Sequence, residues 1–194
     1  MLITGLTSKT PQNLLLGAGA FFKNYDVKTD TPEKATAKLL GATQGGGSFN
    51  AVPTVRQITV DGGKTNVKEL ETIDDWVVTM VVNAKEITAT NIALALGAVK
   101  SEDSETPAGY QKITGKEDFE KSDYQDNITW IGKLKGNDNP VIIVIKNALS
   151  LNGLSLSVAD KNEATVPITL TGHYNLDKLD EVPFEIYYPK VAEA

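Results

Sequence analysis

The sequence predicts a mainly β protein of the α+β kind: an antiparallel β-sandwich or partial barrel with one or two short flanking helices. Three observations carry this reading. Apolar residues recur at every second position through much of the chain, β-branched types dominate those positions, and only two short stretches carry helix start and stop signals. The 194 residues suit one domain, 1–194, long enough to bury a real core.

Near the N-terminus, Leu14–Phe22 mixes bulky apolar ends with a small centre, so another backbone can come close at Gly17–Ala20. That approach is intramolecular or between subunits. Pro32 after Thr31 suits a first helical turn, with Ala35 and Leu39 on one face and Gly41 placed to end it. Gly41–Pro53, with its Gly45–Ser48 run, reads as a Gly-rich loop, and Asp61–Lys64 as a second loop. Trp76, Val78, Met80 and Val82 share one face of a strand, and a turn before Trp76 accounts for the adjacent Asp74 and Asp75. Thr88 or Thr90 caps a second helix, with Ile92 and Leu96 inward and Gly97 closing it.

Lys100–Asn127 is acidic and lacks apolar periodicity, so it reads as a polar loop. Ile128 and Trp130 resume the alternation. Val141–Ile145 is apolar without a break, which marks a central strand covered on both faces. Across Asn152-Gly153 the apolar positions switch from odd to even numbers, implying a turn, a bulge or a tight hairpin. Val166, Ile168 and Leu170 form a further strand, as do Val182, Phe184, Ile186 and Tyr188.

Composition excludes several functions. Acidic side chains number 25 against 19 basic, a net charge of -6, so phosphate-driven nucleic-acid binding lacks its basic face. Cysteine is absent, which removes disulfides, thiolate metal sites and cysteine nucleophiles. The apolar runs are far shorter than a membrane span, and Met1–Gly5 lacks the features of a leader, so a cytosolic or virion protein is expected.

Constellations with catalytic potential fail on context. Gly41–Ser48 superficially matches a phosphate-binding loop, but Gly47 stands where the lysine belongs and no strand–loop–helix unit surrounds it. His173 is the only histidine, with no nucleophile elbow beside it, and reads as a turn or interface residue. Asp123 and Asp126 lack calcium-loop spacing and read as solvated. Strand alternation buries Trp76, Trp130 and Tyr188, leaving Tyr187 as the candidate surface ring, a poor platform for a glycan. No enzyme activity, cofactor or metal is expected.

The order and spacing of several segments add a family resemblance. These are Asn13–Asn24 (NLLLGAGAFFKN), Leu39–Gly47 (LLGATQGGG), Asp74–Thr79 (DDWVVT), Asn83–Glu86 (NAKE) and Ala93–Gly97 (ALALG). They continue through Asn127–Gly132 (NITWIG), Asn147–Leu149, Gly153-Leu154, Asp160–Ala164 (DKNEA), Thr171–Tyr174 (TGHY) and Pro183–Pro189 (PFEIYYP). Over nearly its whole length the chain resembles the major tail proteins, or tail tube proteins, of long-tailed bacteriophages and prophages of Gram-positive bacteria.

The resemblance implies a tail-tube-like sandwich whose subunits form hexameric rings that stack into a tube. It implies tape measure and tail terminator or initiator proteins as partners, DNA passing through the lumen without specific binding, and a place in the virion tail assembled in the host cytoplasm. By analogy, Gly45, Gly46, Gly47, Ser48 and Phe49 are candidate inter-subunit contacts on a mobile loop. Deleting Gly45–Ser48 is then expected to spare the folded monomer and impair assembly. The rival reading is a sandwich that binds glycans or host surfaces, as a virion decoration or adhesin domain.

Overall fold

The computed structural model describes residues 5–190; Met1–Thr4, in the segment read for a leader, lie outside that range. The alternating segments form strands β1 (Leu15–Lys23), β2 (Thr43–Gln57), β3 (Glu71–Ala84), β6 (Gln125–Leu134), β7 (Val141–Ser150), β8 (Val166–Gly172) and β9 (Phe184–Tyr187). Between β3 and β6 come the helix α1 (Ala89–Leu96) and strands β4 (Val99–Ser104) and β5 (Tyr110–Gly115). All pairings are antiparallel. The seven-stranded sheet runs β1-β6-β7-β8-β3-β2, with β9 also paired to β7.

β7 turns this one sheet into two layers. Ile142–Ile145 pair with β9, whereas Leu149 and Ser150 pair with β8, and β6 runs along the opposite side. At the change of partner, Asn147 takes a left-handed φ of 47°, which kinks the strand. One layer is therefore β1-β6-β7-β9 and the other β7-β8-β3-β2, the sandwich the alternation predicted.

The core lies between the layers. Phe21, Ile128 and Ile145 from the first face Met80, Val82, Ile168 and Leu170 from the second, all at most 2% exposed. Burying each such side chain stabilises by about 1.5–3 kcal/mol before chain entropy is counted. Phe184 reaches across from β9, its ring 5.4 Å from Trp76 and 5.8 Å from Phe49.

α1 begins and ends as its signals indicate: the Thr88 side chain accepts from the Asn91 N–H, and Gly97 closes the helix at φ 79°. Its inward face differs from expectation, being Asn91, Leu94 and Ala95 rather than Ile92 and Leu96. Three hydrogen bonds set the rotation. Asn91 Nδ2 donates to the carbonyls of Leu40 (2.8 Å) and Glu86 (2.9 Å), and Ser150 Oγ donates to the Ala95 carbonyl (2.6 Å). A buried amide must keep such partners, and this constraint overrides the apolar periodicity.

The other expected helix does not form. Residues 32–41 make a turn and one 3-10 turn, Thr36–Lys38, then extend. Tertiary demands on either side explain why. Tyr25 and Ala35 pack with Phe22 and Ile131 over the outer face of the β1-β6-β7 layer, while Leu40 enters the main core and its N–H donates to the Phe21 carbonyl (2.9 Å). A continuous helix cannot serve both sides of one layer.

The polar loop expected at 100–127 is also replaced, by the β4–β5 hairpin, a 3-10 turn at Lys121–Asp123 and the start of β6. Most side chains of the hairpin are exposed on both faces, so no apolar alternation marks it. Ion pairs serve instead, with Glu102 reaching Lys100 (2.9 Å) and Lys112 (3.5 Å). Asp123 is not solvated as expected: its side chain is 7% exposed and bound by Lys116 at 2.8 Å. At the chain's far end, Phe184 faces the core, but Ile186 and Tyr188 are more than half exposed because β9 overhangs the sandwich.

Candidate functional site

The Gly45–Phe49 segment lies in a strand, not in a mobile loop. Thr43 pairs with Ala84 and Gly47 with Val82, so β2 advances four residues while β3 advances two, and two extra residues bulge out. Gly45 and Gly46 carry the bulge at φ 75° and 65°. Ser48 and Phe49 then pair with Val81 and Met80. Deleting Gly45–Ser48 would remove the bulge with its Gly47–Val82 and Ser48–Val81 pairs and slide Phe49 from Met80 towards Val82, so the expectation changes: the deletion should disturb the β2–β3 ladder as well as assembly.

The glycines serve close approach. A Cβ on Gly47 would overlap the Val81 carbonyl oxygen and come within 2.7 Å of the Phe21 ring. A Cβ on buried Gly46 would touch the Ala18 Cβ at 3.5 Å. The small centre of Leu14–Phe22 is thus matched within the chain. β1 has its own bulge there: from Leu16 to Ala20 it advances four residues while β6 advances two, with Gly17 and Gly19 at φ 77° and 69°. Trp130 Nε1 donates to the Ala18 carbonyl (2.9 Å) across this bulge.

Two edge strands therefore meet with a bulge on each, and a bulged edge cannot continue a ladder. β1 and β2 approach without pairing, and the barrel stays open along this seam. Below it is an apolar slot of ≈ 190 Å³ lined by Leu15, Phe21, Phe49, Met80, Trp130 and Ile143. Of the five candidate contact residues, Gly45, Gly47 and Ser48 are exposed on the seam, Phe49 is half-buried and Gly46 is buried.

A second feature had no counterpart in the expectations. β8 pairs with β3 only over Val78–Ala84, whereas β2 accompanies β3 down to Glu71. Val52–Gln57 and Glu71–Val77 therefore project as a two-stranded ribbon. Its cross-strand pairs Val52–Val77 and Val55–Ile73 are apolar, and each residue is more than half exposed. Beyond them Ile58, Val60 and Val67 are exposed as well. The legible signal was β-branched residues on both sides of the Asp61–Lys64 turn, which marks a hairpin.

Asp74 and Asp75 sit inside this ribbon, not in a turn before Trp76. Thr54 pairs with Asp75 and Val55 with Ile73, which leaves Asp74 as a bulged residue. Arg56 binds Asp74 through Nε (3.0 Å) and Nη2 (3.1 Å), and the Asp74 hydrogen bond raises the guanidinium pKa. His173 follows β8, its Nδ1 3.1 Å from the Asn147 carbonyl oxygen. Among the described residues, no three His, Cys, Asp or Glu side chains gather as a metal group, and no helix is long and apolar enough to cross a membrane.

No family model matches this chain, and no curated protein matches it. The site is therefore read from its own geometry: an open seam with an apolar slot, and a projecting ribbon with uncovered apolar pairs.

Tyr187 is 44% exposed, as expected of a surface ring, but it is not alone. Tyr188, Tyr110 and Phe119 are each more than half exposed. Tyr188 escapes the core because β9 ends at Tyr187 and the overhanging chain has no opposing layer.

Proposed function

We propose that this protein is a structural subunit that assembles with copies of itself into stacked hexameric rings, forming a bacteriophage tail tube through which the genome leaves. The observation that carries this reading is the β2–β3 ribbon. A two-stranded ribbon in water is marginal by itself, and this one holds apolar cross-strand pairs in the open. A second copy that covers Val52–Val77 and Val55–Ile73 would remove those residues from water. A ribbon on one copy meeting a different surface on the next is a heterologous contact, which closes into a ring when the rotation allows.

The net charge of -6 supports the same reading, since an acidic lumen repels DNA and lets it slide. The resemblance to tail tube proteins supplies the ring and tube geometry. Gly45, Gly47 and Ser48, exposed at the seam, are the candidate acceptor side.

Negative-stain microscopy of the purified protein at rising concentration tests the proposal, with rings or tubes around a central channel as the expected result. Val55→Lys with Ile73→Glu, an opposite-charge cross-strand pair at exposed positions, should leave the melting transition intact and abolish the rings. Compact monomers at every concentration, also in the presence of an initiator complex, would overturn it.

A further inference from the structure

At the end of the sandwich where β7 kinks, a groove of ≈ 740 Å³ opens between the start of β6 and the segment after β8. Phe119, Tyr124, Asp126, His173, Tyr174 and Asp177 line it. We propose that this groove binds a neutral oligosaccharide. The proposal is independent of the tube reading, which uses other features of the fold, the exposed pairs of the ribbon and the seam.

The groove has the chemistry that sugars require. A pyranose ring presents one face of C–H bonds with partial positive charge, which packs on the negative face of an aromatic ring, and a rim of hydroxyls that need directed partners. Phe119 offers an exposed ring at 52%. The carboxylates of Asp126 and Asp177 take part in none of the ion pairs among the described residues. They are free to accept from vicinal hydroxyls.

His173 adds a directed acceptor. Its Nδ1 faces the Asn147 carbonyl, which can only accept, so Nδ1 carries a proton and the tautomer this selects has its lone pair on Nε2. Nε2 has no hydrogen-bond partner among the described residues.

The walls are held before any ligand arrives. The Tyr174 hydroxyl accepts from the Trp76 N–H (2.8 Å), 98 residues away, and the Tyr124 ring meets His173 edge-on at 5.2 Å. Side chains fixed this way lose little entropy on binding. The local field selects the class of sugar: with Glu120 paired to Lys116 (2.6 Å), the unpaired Asp126 and Asp177 still outnumber Lys121 along the groove, which disfavours anionic polymers.

His173 is the chain's only histidine, so its imidazole proton resonances need no assignment. The test follows them in the full chain titrated with maltotriose, with tri-N-acetylchitotriose, and with polygalacturonate as the anionic control. A saturable shift is expected with at least one neutral trisaccharide and not with polygalacturonate. Phe119→Ala and Asp177→Asn, both at exposed positions, should each weaken binding by at least ~10-fold, while Tyr187→Ala, outside the groove, leaves it unchanged. Resonances that stay fixed up to the solubility limit of both trisaccharides, or that respond equally in wild type and the two groove variants, would overturn the proposal.

Discussion

Asn147 and His173 hold each other at the point where β7 passes from one layer to the other. Asn147 Nδ2 donates to the His173 carbonyl (2.8 Å), and His173 Nδ1 donates back to the Asn147 carbonyl (3.1 Å). The reciprocal pair fixes the left-handed turn at Asn147, φ 47°, that gives the sandwich its shared strand. Asn147→Ala loses the side-chain bond and keeps the backbone strain, so it should cost about 2–3 kcal/mol. Asn147→Gly relieves the strain and should cost about 1 kcal/mol. Urea denaturation of both variants checks the order; equal losses would mean that the kink is not set by this residue.

Gly47 and Gly45 should respond differently to the same substitution. At Gly47 an added Cβ meets the Val81 carbonyl and the Phe21 ring, so Gly47→Ala should destabilise by about 2–4 kcal/mol. At Gly45 the nearest atom is Asn83 Nδ2 at 3.9 Å, and only the left-handed φ opposes a side chain, at about 1 kcal/mol. Thermal melts of the two alanine variants separate close packing from chain flexibility.

Phe184 links β9 to the far layer through Phe49 and Trp76. Phe184→Ala should cost about 2–3 kcal/mol, short of a fully buried phenylalanine because the ring is only partly enclosed. Trp76 loses a neighbour in the variant, so its fluorescence should shift to the red. An unchanged spectrum would show that the ring contact does not order this end of the sandwich.

Asp123 gives the 116–125 connection an acid dependence. Burial works to raise its pKa, but the Lys116 ammonium and the Glu120 N–H, each at 2.8 Å, outweigh it and hold the pKa below the ordinary 3.8. A depressed carboxylate contributes its full stabilisation above the ordinary value and loses it as the pH falls through the depressed one. Proteolysis of this connection by an acid-active protease should therefore accelerate as the pH falls from about 4 towards about 2 in wild type, and Asp123→Asn should flatten that dependence. Parallel profiles would assign the acid sensitivity elsewhere.

The strands legible in the sequence are those with one face pressed between the layers. Val78, Met80 and Val82 in β3 and Val166, Ile168 and Leu170 in β8 are all buried, and their spacing of two is visible because the intervening residues are not. Gly45–Gly47 misled because glycine has no side chain to display alternation; the strand there is imposed by Val81 and Val82 across the ladder. β4 and β5 were hidden because water covers both faces. The helix expected at Pro32–Gly41 failed on a demand made from elsewhere, the separate destinations of Ala35 and Leu40. The groove around His173 joins residues from the connection before β6 and from the end of β8, and no local pattern announces such a meeting.

β1 sits at an edge of its layer and β6 is its one strand partner, so Asn24, just past its end, finds its partner Asn127 103 positions further along the chain. During synthesis at about 5–20 residues per second, β1 waits roughly 5–20 s for that partner, while the local β2–β3 hairpin closes within microseconds of emerging. Throughout that interval Leu14–Leu16 have no strand partner, and Phe21 and Phe22 have only the 25–40 segment to cover them. The ribosome thus releases β1 well before the strand that covers its edge, and the yield of soluble chains becomes a matter of timing.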